Sequence, residues 1–171
     1  NDEPSPARSA VLVRRSNSHI RIGTFQRLKY FNEYDKIALL LNHLSENYFT
    51  NIKFKKSLKI LAENIFLESV KRIAESMGRI VIAGFVHGVL NTDNFNVTGE
   101  VFDYGPWRFI EFANTFFTAA YFDNNGRYSF GRQPEAALWA LTQLGNSLDE
   151  FIEENIIIET LNQFSKSFHE S

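Results

Sequence analysis

The sequence predicts an α+β fold that is mostly helical and forms a single unit over residues 1–171. Apolar residues recur at helical spacing through most of the chain, and one short segment, 95–102, alternates as a β-hairpin does. With 171 residues and 44% hydrophobic content, the chain is long enough to bury one core. We therefore expect packed helices around one small hairpin.

The first elements are predicted to be a strand and a helix. Residues 1–9 are polar with two prolines and are typical of a loose chain end, whereas the apolar run Ala10–Arg15 favours a strand. An amphipathic helix is predicted from about Tyr34 to Tyr48. Its apolar residues, at helical spacing, are Ile37, Leu40, Leu41 and Leu44.

A longer helix is predicted from about Lys56 to Ala83, and Gly84 provides a left-handed stop. Its apolar stripe contains Phe66, Val70, Ile73, Met77 and Val81. This helix leads into the segment 87–94, and the hairpin 95–102 returns the chain beside that segment.

The last third of the chain is predicted to be irregular and then helical. An aromatic-rich stretch extends to Arg132, and Pro134 in a first turn opens a helix that ends near Asn146. Ser147 and Glu150 have the spacing of a capping box for a final helix. The apolar face of that helix would contain Ile157, Leu161, Phe164 and Phe168.

Composition excludes several function classes. The net charge of −2 and the pI of about 6.1 argue against nucleic acid or an anionic membrane surface as a partner. The absence of cysteine rules out disulfides and thiolate metal sites. The apolar run Ile80–Val86 is much shorter than the roughly 20 residues that span a bilayer, so no membrane segment is expected.

Two short motifs indicate the chemistry. His87 and Asn94 have the separation of the protein-kinase catalytic loop H-R-D-L-x-x-x-N, whose asparagine binds one Mg²⁺ ion. Asp103-Tyr104-Gly105 follows where kinases have D-F-G, whose aspartate binds the other ion. The spacing is therefore that of a phosphotransferase metal site.

The kinase base is missing from this loop. The position two residues after His87 is Val89, which cannot accept a proton, and the other carboxylate of the loop is Asp93, beside Asn94. A general base must reach the hydroxyl that it activates, so a base moved along the loop implies a differently placed substrate or nucleotide.

This combination resembles the selenoprotein O family of pseudokinases, which transfer AMP from ATP to protein hydroxyls. The similarity covers most of the chain. Its motifs are His87–Asn94 for the family's HGVxNTDN loop, Asp103–Pro106 for DYGP, Gly126–Pro134 for G-x-Y-x-F-x-x-Q-P, Val13-Arg14 for V-R and Ser18–Gly23 for S-H-L-R-x-G.

The resemblance implies a protein-kinase-like fold, with the larger helical lobe and a short β-hairpin at the metal site. It also implies that Asp93 is the catalytic base, that Asn94 and Asp103 are ligands of Mg²⁺ or Mn²⁺, and that Arg14 and Arg21 contact the phosphates of ATP. The expected partners are ATP and target proteins with Ser, Thr or Tyr hydroxyls. Family members act in bacteria and in mitochondria, and we expect the bacterial cytoplasm here.

The sequence also departs from the family. Arg15 and Asn17 stand where smaller or different residues are usual, and residues 1–86 contain no glycine-rich phosphate loop and no V-A-I-K-like lysine. Met77 is the only methionine of a chain that begins at Asn1, so we expect a partial domain that lacks an amino-terminal lobe and a carboxy-terminal continuation. On its own it is expected to have little activity.

Other interpretations remain open. The segment Asn91–Asn94 by itself would be an ordinary polar turn, and Arg14 and Arg21 by themselves ordinary surface cations. His87 is expected to be structural, bonding to backbone around the loop. For the whole protein, the alternatives are a conventional kinase that transfers the γ-phosphate, which Val89 argues against, and a non-catalytic nucleotide-binding protein or scaffold.

Overall fold

The computed structural model describes residues 11, 13–52 and 57–170. These residues form five α-helices, a two-stranded antiparallel sheet and one 3₁₀ turn. The helices are α1 Ile22–Tyr30, α2 Tyr34–Asn47, α3 Leu58–Ile82, α4 Gln133–Ser147 and α5 Glu154–His169. The strands are β1 Phe85–Val86 and β2 Arg108–Phe109, and the 3₁₀ turn is Phe130–Arg132. The predicted α+β class, mostly helical, is confirmed.

The long helix α3 is the centre of the molecule, because α2, α4 and α5 all pack against it. Its amino end is capped by Ser57, whose hydroxyl oxygen accepts a hydrogen bond from the backbone N–H of Ile60 at 3.3 Å. Its buried stripe recurs at helical spacing, which explains the length of the element. The fully buried side chains of this stripe include Phe66, Val70, Ile73, Ala74 and Met77.

Helix α3 ends at Ile82, and Gly84 follows with a φ of +66°. A residue with a side chain is strained in that left-handed conformation, so glycine fits the predicted stop. The chain then enters β1, which pairs with β2 so that Phe85 faces Phe109 and Val86 faces Arg108. This pairing holds the segment after residue 103 beside the loop that begins at His87.

Three predicted helices agree with the structure. Helix α2 begins at the predicted residue and ends one residue early, α4 lies within one residue of its predicted bounds, and α3 ends one residue before Ala83. Lys56, the predicted start of α3, lies outside the described residues, as does the predicted loose end at residues 1–9. The regular apolar spacing of these helices made them predictable.

The predicted strand Ala10–Arg15 is wrong for the residues that can be compared. Ala10 and Leu12 lie outside the described residues, and residue 11 and residues 13–15 are not in a strand. Val11 and Val13 are 93% and 89% exposed, so their side chains do not gain the packing contacts that stabilise a β-strand. Arg14 instead donates a hydrogen bond to the carbonyl oxygen of Val101.

The structure contains one helix that the sequence does not predict, and it corrects the start of another. Helix α1 was not predicted, because only Ile22 and Phe25 of its nine residues are buried and the apolar pattern is short. Helix α5 begins after Glu153, so Ser147 and Glu150 do not form its capping box. Ser147 is the last residue of α4, and its hydroxyl donates to the carbonyl oxygen of Gln143 at 2.7 Å.

The hairpin predicted at residues 95–102 is present in a minimal form. Phe95 and Val101 form one antiparallel bridge, and Gly99 turns the chain with a φ of +104°. The turn lies directly on α3, since a Cβ atom on Gly99 would lie 2.6 Å from the Cβ atom of Arg72. A second bridge joins Asn96 to Arg21, so the hairpin connects the start of α1 to the middle of α3.

None of the helices in the described ranges is both long and apolar enough to cross a lipid bilayer.

Candidate active site

His87 is a structural anchor of the loop 87–94. The imidazole is fully buried, its Nε2 atom donates to the carbonyl oxygen of Phe102 at 2.8 Å, and its Nδ1 atom accepts from the backbone N–H of Val89 at 3.2 Å. These partners fit the neutral ring with its hydrogen on Nε2. Burial lowers the pKa of His87, and the bond to Phe102 and the charge of Asp103 offset part of this effect. The ring is thus positioned to hold the loop, as predicted.

Gln133 fixes the other side of the same residue. Its amide is fully buried, its Oε1 atom accepts from the backbone N–H of His87 at 3.0 Å, and its Nε2 atom donates to the carbonyl oxygen of Phe85 at 2.9 Å. The side chain therefore ties the first turn of α4 to β1 and to the loop. Sequence reasoning assigned it no role, although a glutamine before Pro134 at a helix start was visible.

Asn94 presents one oxygen atom to the site. The side chain is 4% exposed, and its Nδ2 atom donates to the carbonyl oxygen of Val89 at 2.8 Å. Because the nitrogen is bound, the amide oxygen Oδ1 is the atom left for a cation. The carbonyl oxygen of Asn94 accepts from the backbone N–H of Phe102 at 3.2 Å, which brings the chain at Asp103 alongside.

Asp103 has an exposed side chain on a left-handed backbone with a φ of +63°. Residues other than glycine rarely adopt this conformation, and such residues cluster at functional sites. The backbone N–H of Gly105 donates to the carbonyl oxygen of Asp103 at 2.9 Å and closes the turn. Asn94 and Asp103 thus lie on adjacent segments of the chain, as the motif spacing predicts.

The side chains of Asn94 and Asp103 fit a Mg²⁺ or Mn²⁺ ion, because amide and carboxylate oxygens are the hard ligands that these ions prefer. In the described part of the chain, no group of three or more His, Cys, Asp and Glu residues lies close enough to hold a metal ion. Two oxygen ligands are a small part of the near-octahedral shell of Mg²⁺, so water and phosphate oxygens would supply the rest.

Asp93 lies at the surface of the loop, next to the first turn of α1. Its backbone N–H donates to the Oδ1 atom of Asn91 at 3.0 Å, which fixes the main chain in an Asx turn. Its carboxylate is exposed and lies against Gly23. The carboxylate is therefore accessible from solvent.

The two arginines of the early motifs each contact an aromatic ring next to Asp103 in the chain. The guanidinium group of Arg14 lies 4.6 Å from the centre of the Tyr104 ring, and that of Arg21 lies 4.5 Å from the centre of the Phe102 ring. Both are cation–π contacts. Burial raises the pKa of Tyr104, and the charge and hydrogen bond of Arg14 oppose that rise.

Arg14 also lines a cavity of about 590 Å³ between the second half of α3 and the turn at Gly99. Its other charged lining residues are Arg72, Glu75, Arg79 and Glu100. Asp93, Asn94 and Asp103 are not on its wall. The cavity is therefore distinct from the carboxylate and amide oxygens described above.

Comparison with known proteins gives the family of this chain. The family model described as protein adenylyltransferase SelO matches residues 1–171. The chain belongs to the SelO family. The resemblance drawn from the motifs is thereby confirmed.

Three relatives named protein nucleotidyltransferase YdiU support this membership. The chain is 45% identical to the protein of Trichormus variabilis over 168 residues, which are 98% of the chain and 34% of that relative. It is 43% identical to the Synechocystis protein over 98% of the chain and 35% of the relative. It is 49% identical to the Gloeobacter violaceus protein over 78% of the chain and 27% of the relative. The chain thus spans about a third of the length of the Trichormus variabilis and Synechocystis proteins.

For this member of the SelO family, the structure places the sequence-predicted residues of the loop and of the hairpin side by side. Asp93 and Asn94 end the loop 87–94, and the hydrogen bond from the backbone N–H of Phe102 to Asn94 brings the chain at Asp103 alongside. Arg14 and Arg21 contact the rings of the two chain neighbours of Asp103. Their roles stay predictions. Sequence reasoning missed Gln133, because its contacts to His87 and Phe85 join parts of the chain that are far apart.

Proposed function

We propose that the protein is an adenylyltransferase that transfers AMP from ATP to Ser, Thr or Tyr hydroxyls of target proteins. The observation that carries this proposal is the exposed carboxylate of Asp93 directly beside the buried amide of Asn94, in a SelO family chain with Val89 at the kinase base position. The proposal concerns the full-length protein, since the chain spans about a third of its long relatives.

In the proposed reaction, Asp93 accepts the proton of the target hydroxyl. The hydroxyl oxygen forms a bond to the α-phosphorus of ATP, and the bond from that phosphorus to the bridging oxygen of the β-phosphate breaks. Pyrophosphate leaves with the electron pair of the broken bond. A carboxylate at the surface of the loop suits a bulky protein substrate, because the hydroxyl can approach without entering a closed pocket.

Asn94 and Asp103 are proposed to hold Mg²⁺ or Mn²⁺ through the amide and carboxylate oxygens. Such an ion would neutralise negative charge on the phosphates of ATP. The hydrogen bond from Asn94 Nδ2 to the Val89 carbonyl keeps the amide oxygen in a fixed orientation. A ligand whose orientation is fixed before the ion binds loses little entropy on binding.

Arg14 and Arg21 are proposed to contact the ATP phosphates. Each guanidinium group packs one face on the aromatic ring of a residue that adjoins Asp103 in the chain. This packing orients the guanidinium group and leaves part of its N–H edge available for phosphate oxygens. Positive charge placed in advance near the reacting phosphate stabilises the transition state.

We also propose that the helices belong to the larger lobe of a protein-kinase-like fold. The order of α3, the loop 87–94, the bridge Phe95–Val101 and Asp103 supports this fold. The named relatives come from bacteria, which supports the bacterial cytoplasm as the proposed location.

The position of a radioactive label tests the proposed reaction. The full-length protein is incubated with a target protein, Mg²⁺ and ATP labelled at either the α- or the γ-phosphate. Protein-bound α-label without γ-label is expected. Protein-bound γ-label would instead identify a kinase, and incorporation of neither label would favour a non-catalytic nucleotide-binding protein.

A further inference from the structure

Gly23 is the second residue of α1, and its backbone does not need a glycine. It lies in a right-handed helix and not in the left-handed region, so any residue could adopt its backbone conformation. Glycine disfavours a helix relative to alanine. The reason for glycine at this position must therefore lie in its surroundings.

The surroundings of Gly23 are the carboxylate of Asp93. A Cβ atom at position 23 would lie 3.2 Å from the Cγ atom of Asp93 and far inside the contact distance of its Oδ1 atom. The next nearest atom is the carbonyl oxygen of Thr92, at an ordinary 3.7 Å. The space that the missing side chain leaves is thus filled by the carboxylate of Asp93.

The backbone on both sides of this contact is clamped. The N–H of Gly23 donates to the carbonyl oxygen of Thr92 at 3.0 Å, and the N–H of Ile22 donates to the carbonyl oxygen of Phe95 at 3.0 Å. The N–H of Asp93 is held by Asn91 at 3.0 Å. Helix and loop cannot easily separate, so an added methyl group would displace the mobile part, which is the exposed side chain of Asp93.

We infer that Gly23 is a positioning residue for Asp93. The bare face of the first turn of α1 leaves room for the carboxylate of Asp93 against that turn, while the hydrogen bonds to Thr92 and Phe95 keep the turn against the loop. This inference rests on the proposed function of Asp93 as the base. It assigns a role in catalysis to a residue that does not touch the reacting atoms.

Gly145 shows what a purely structural glycine looks like in the same fold. A Cβ atom there would lie 2.6 Å from the Cγ2 atom of Ile157 and 3.1 Å from the ring of Phe66, both in the core. Such a clash has no mobile partner and must strain the packing of α3, α4 and α5. Gly145→Ala should therefore lower stability, whereas Gly23→Ala should not.

The test compares Gly23→Ala with Thr24→Ala in the full-length protein. Thr24 is the exposed neighbour on the same helical turn, so its replacement serves as a matched control. For Gly23→Ala we expect a fall of kcat for α-label transfer of about tenfold or more, because small misplacements of a catalytic group have effects of this order. KM for ATP and the urea midpoint of unfolding should stay at their wild-type values, and Thr24→Ala should leave all three unchanged.

A double variant shows whether the effect passes through Asp93. In an Asp93→Asn background, adding Gly23→Ala should cause no further loss of the residual rate, because there is no base left to misplace. A further loss, a wild-type kcat for Gly23→Ala, or a lowered unfolding midpoint would overturn the inference. If the wild type transfers no α-label, the proposed function fails and this inference with it. If the wild type is active and Gly23→Ala equals it, only the inference fails.

Discussion

Several polar groups of the loop 87–94 are held by hydrogen bonds within the protein. The ring of His87 is held at both nitrogens, the amide nitrogen of Asn94 binds the carbonyl oxygen of Val89, and the backbone of Asp93 is fixed by Asn91. Of the two loop residues with a proposed role, Asn94 keeps its amide oxygen and Asp93 its carboxylate for contact with a ligand. An arrangement fixed in advance is what catalysis by positioning and charge requires.

His87 makes the stability of the protein depend on pH. The folded protein favours the neutral imidazole, since burial lowers the pKa of His87 below its usual value of about 6.5. Its contribution to stability is therefore complete above about pH 6.5 and is lost as the pH falls below that value, where the unfolded chain binds the proton more strongly. We expect His87→Gln to flatten this part of the pH dependence and to lower stability at neutral pH.

Urea unfolding between about pH 5 and pH 8 measures this effect. His43→Gln is the matched control, because it removes an exposed histidine on α2 and should leave the wild-type pH dependence in place. If the unfolding free energies of His87→Gln and the wild type run parallel over this range, His87 is not the source of the pH dependence.

At the scale of single residues, the sequence predicts what lies within one short segment. Asp93, Asn94 and Asp103, whose roles stay predictions, could be proposed as site residues because a loop and a hairpin fix their spacing. The roles of Gly23 and Gln133 could not, because they depend on contacts with residues distant in the sequence; His87 and Gln133, for example, are 46 positions apart. The residues next to a glycine or a glutamine in the sequence do not predict such a distant contact.

At the scale of elements, α4 is locked to β1 by one buried amide. Replacing Gln133 by alanine would leave the N–H of His87 and the carbonyl oxygen of Phe85 without these hydrogen bonds inside the protein. Each such loss costs on the order of 1–3 kcal/mol, so we expect Gln133→Ala to lower the free energy of unfolding by about 2–4 kcal/mol. Urea unfolding measures the change.

Gln143 on the same helix provides the control for this experiment. It is half-buried, and its side-chain oxygen accepts a long hydrogen bond, at 3.4 Å, from Nε2 of Gln26. Gln143→Ala should change the unfolding free energy by no more than about 0.5 kcal/mol. Equal losses in the two variants would contradict the role of Gln133 as a lock.

The predictability of the elements follows from their patterns. Helices α2, α3 and α4 have long apolar stripes, so their existence and most of their bounds could be read from the sequence. Helix α1 buries two residues and depends on its contacts with the loop at Thr92 and Phe95. The predicted start of α5 was wrong because the capping-box spacing here joins Ser147, the last residue of α4, to Glu150 in the turn that follows.

At the scale of the whole molecule, several large aromatic side chains are exposed to solvent. Phe112, Phe116 and Tyr121 are 81%, 86% and 82% exposed, all in the segment between β2 and α4. Exposed apolar area of this kind is typical of surfaces that contact other parts of a protein or a partner. The sequence predicted the single core but not which aromatic residues would lie outside it.

The chain of 171 residues by itself is expected to transfer little AMP. Residues 1–86 contain neither a glycine-rich phosphate loop nor a V-A-I-K-like lysine, so ATP would be held by Arg14, Arg21 and the metal site alone. Transfer of α-label by this chain and by the full-length protein, measured at equal concentrations, tests the expectation. Comparable rates would show that these 171 residues suffice for the transfer.

Replacing Asp93 alone separates the proposed base from the proposed metal ligands beside it. We expect Asp93→Asn in the full-length protein to lower the rate of α-label transfer by about 100-fold or more, the usual scale for loss of a general base. Metal-dependent ATP binding should persist, because Asn94 and Asp103 are intact. An unchanged transfer rate, or loss of ATP binding together with activity, would contradict the role of Asp93 as the base.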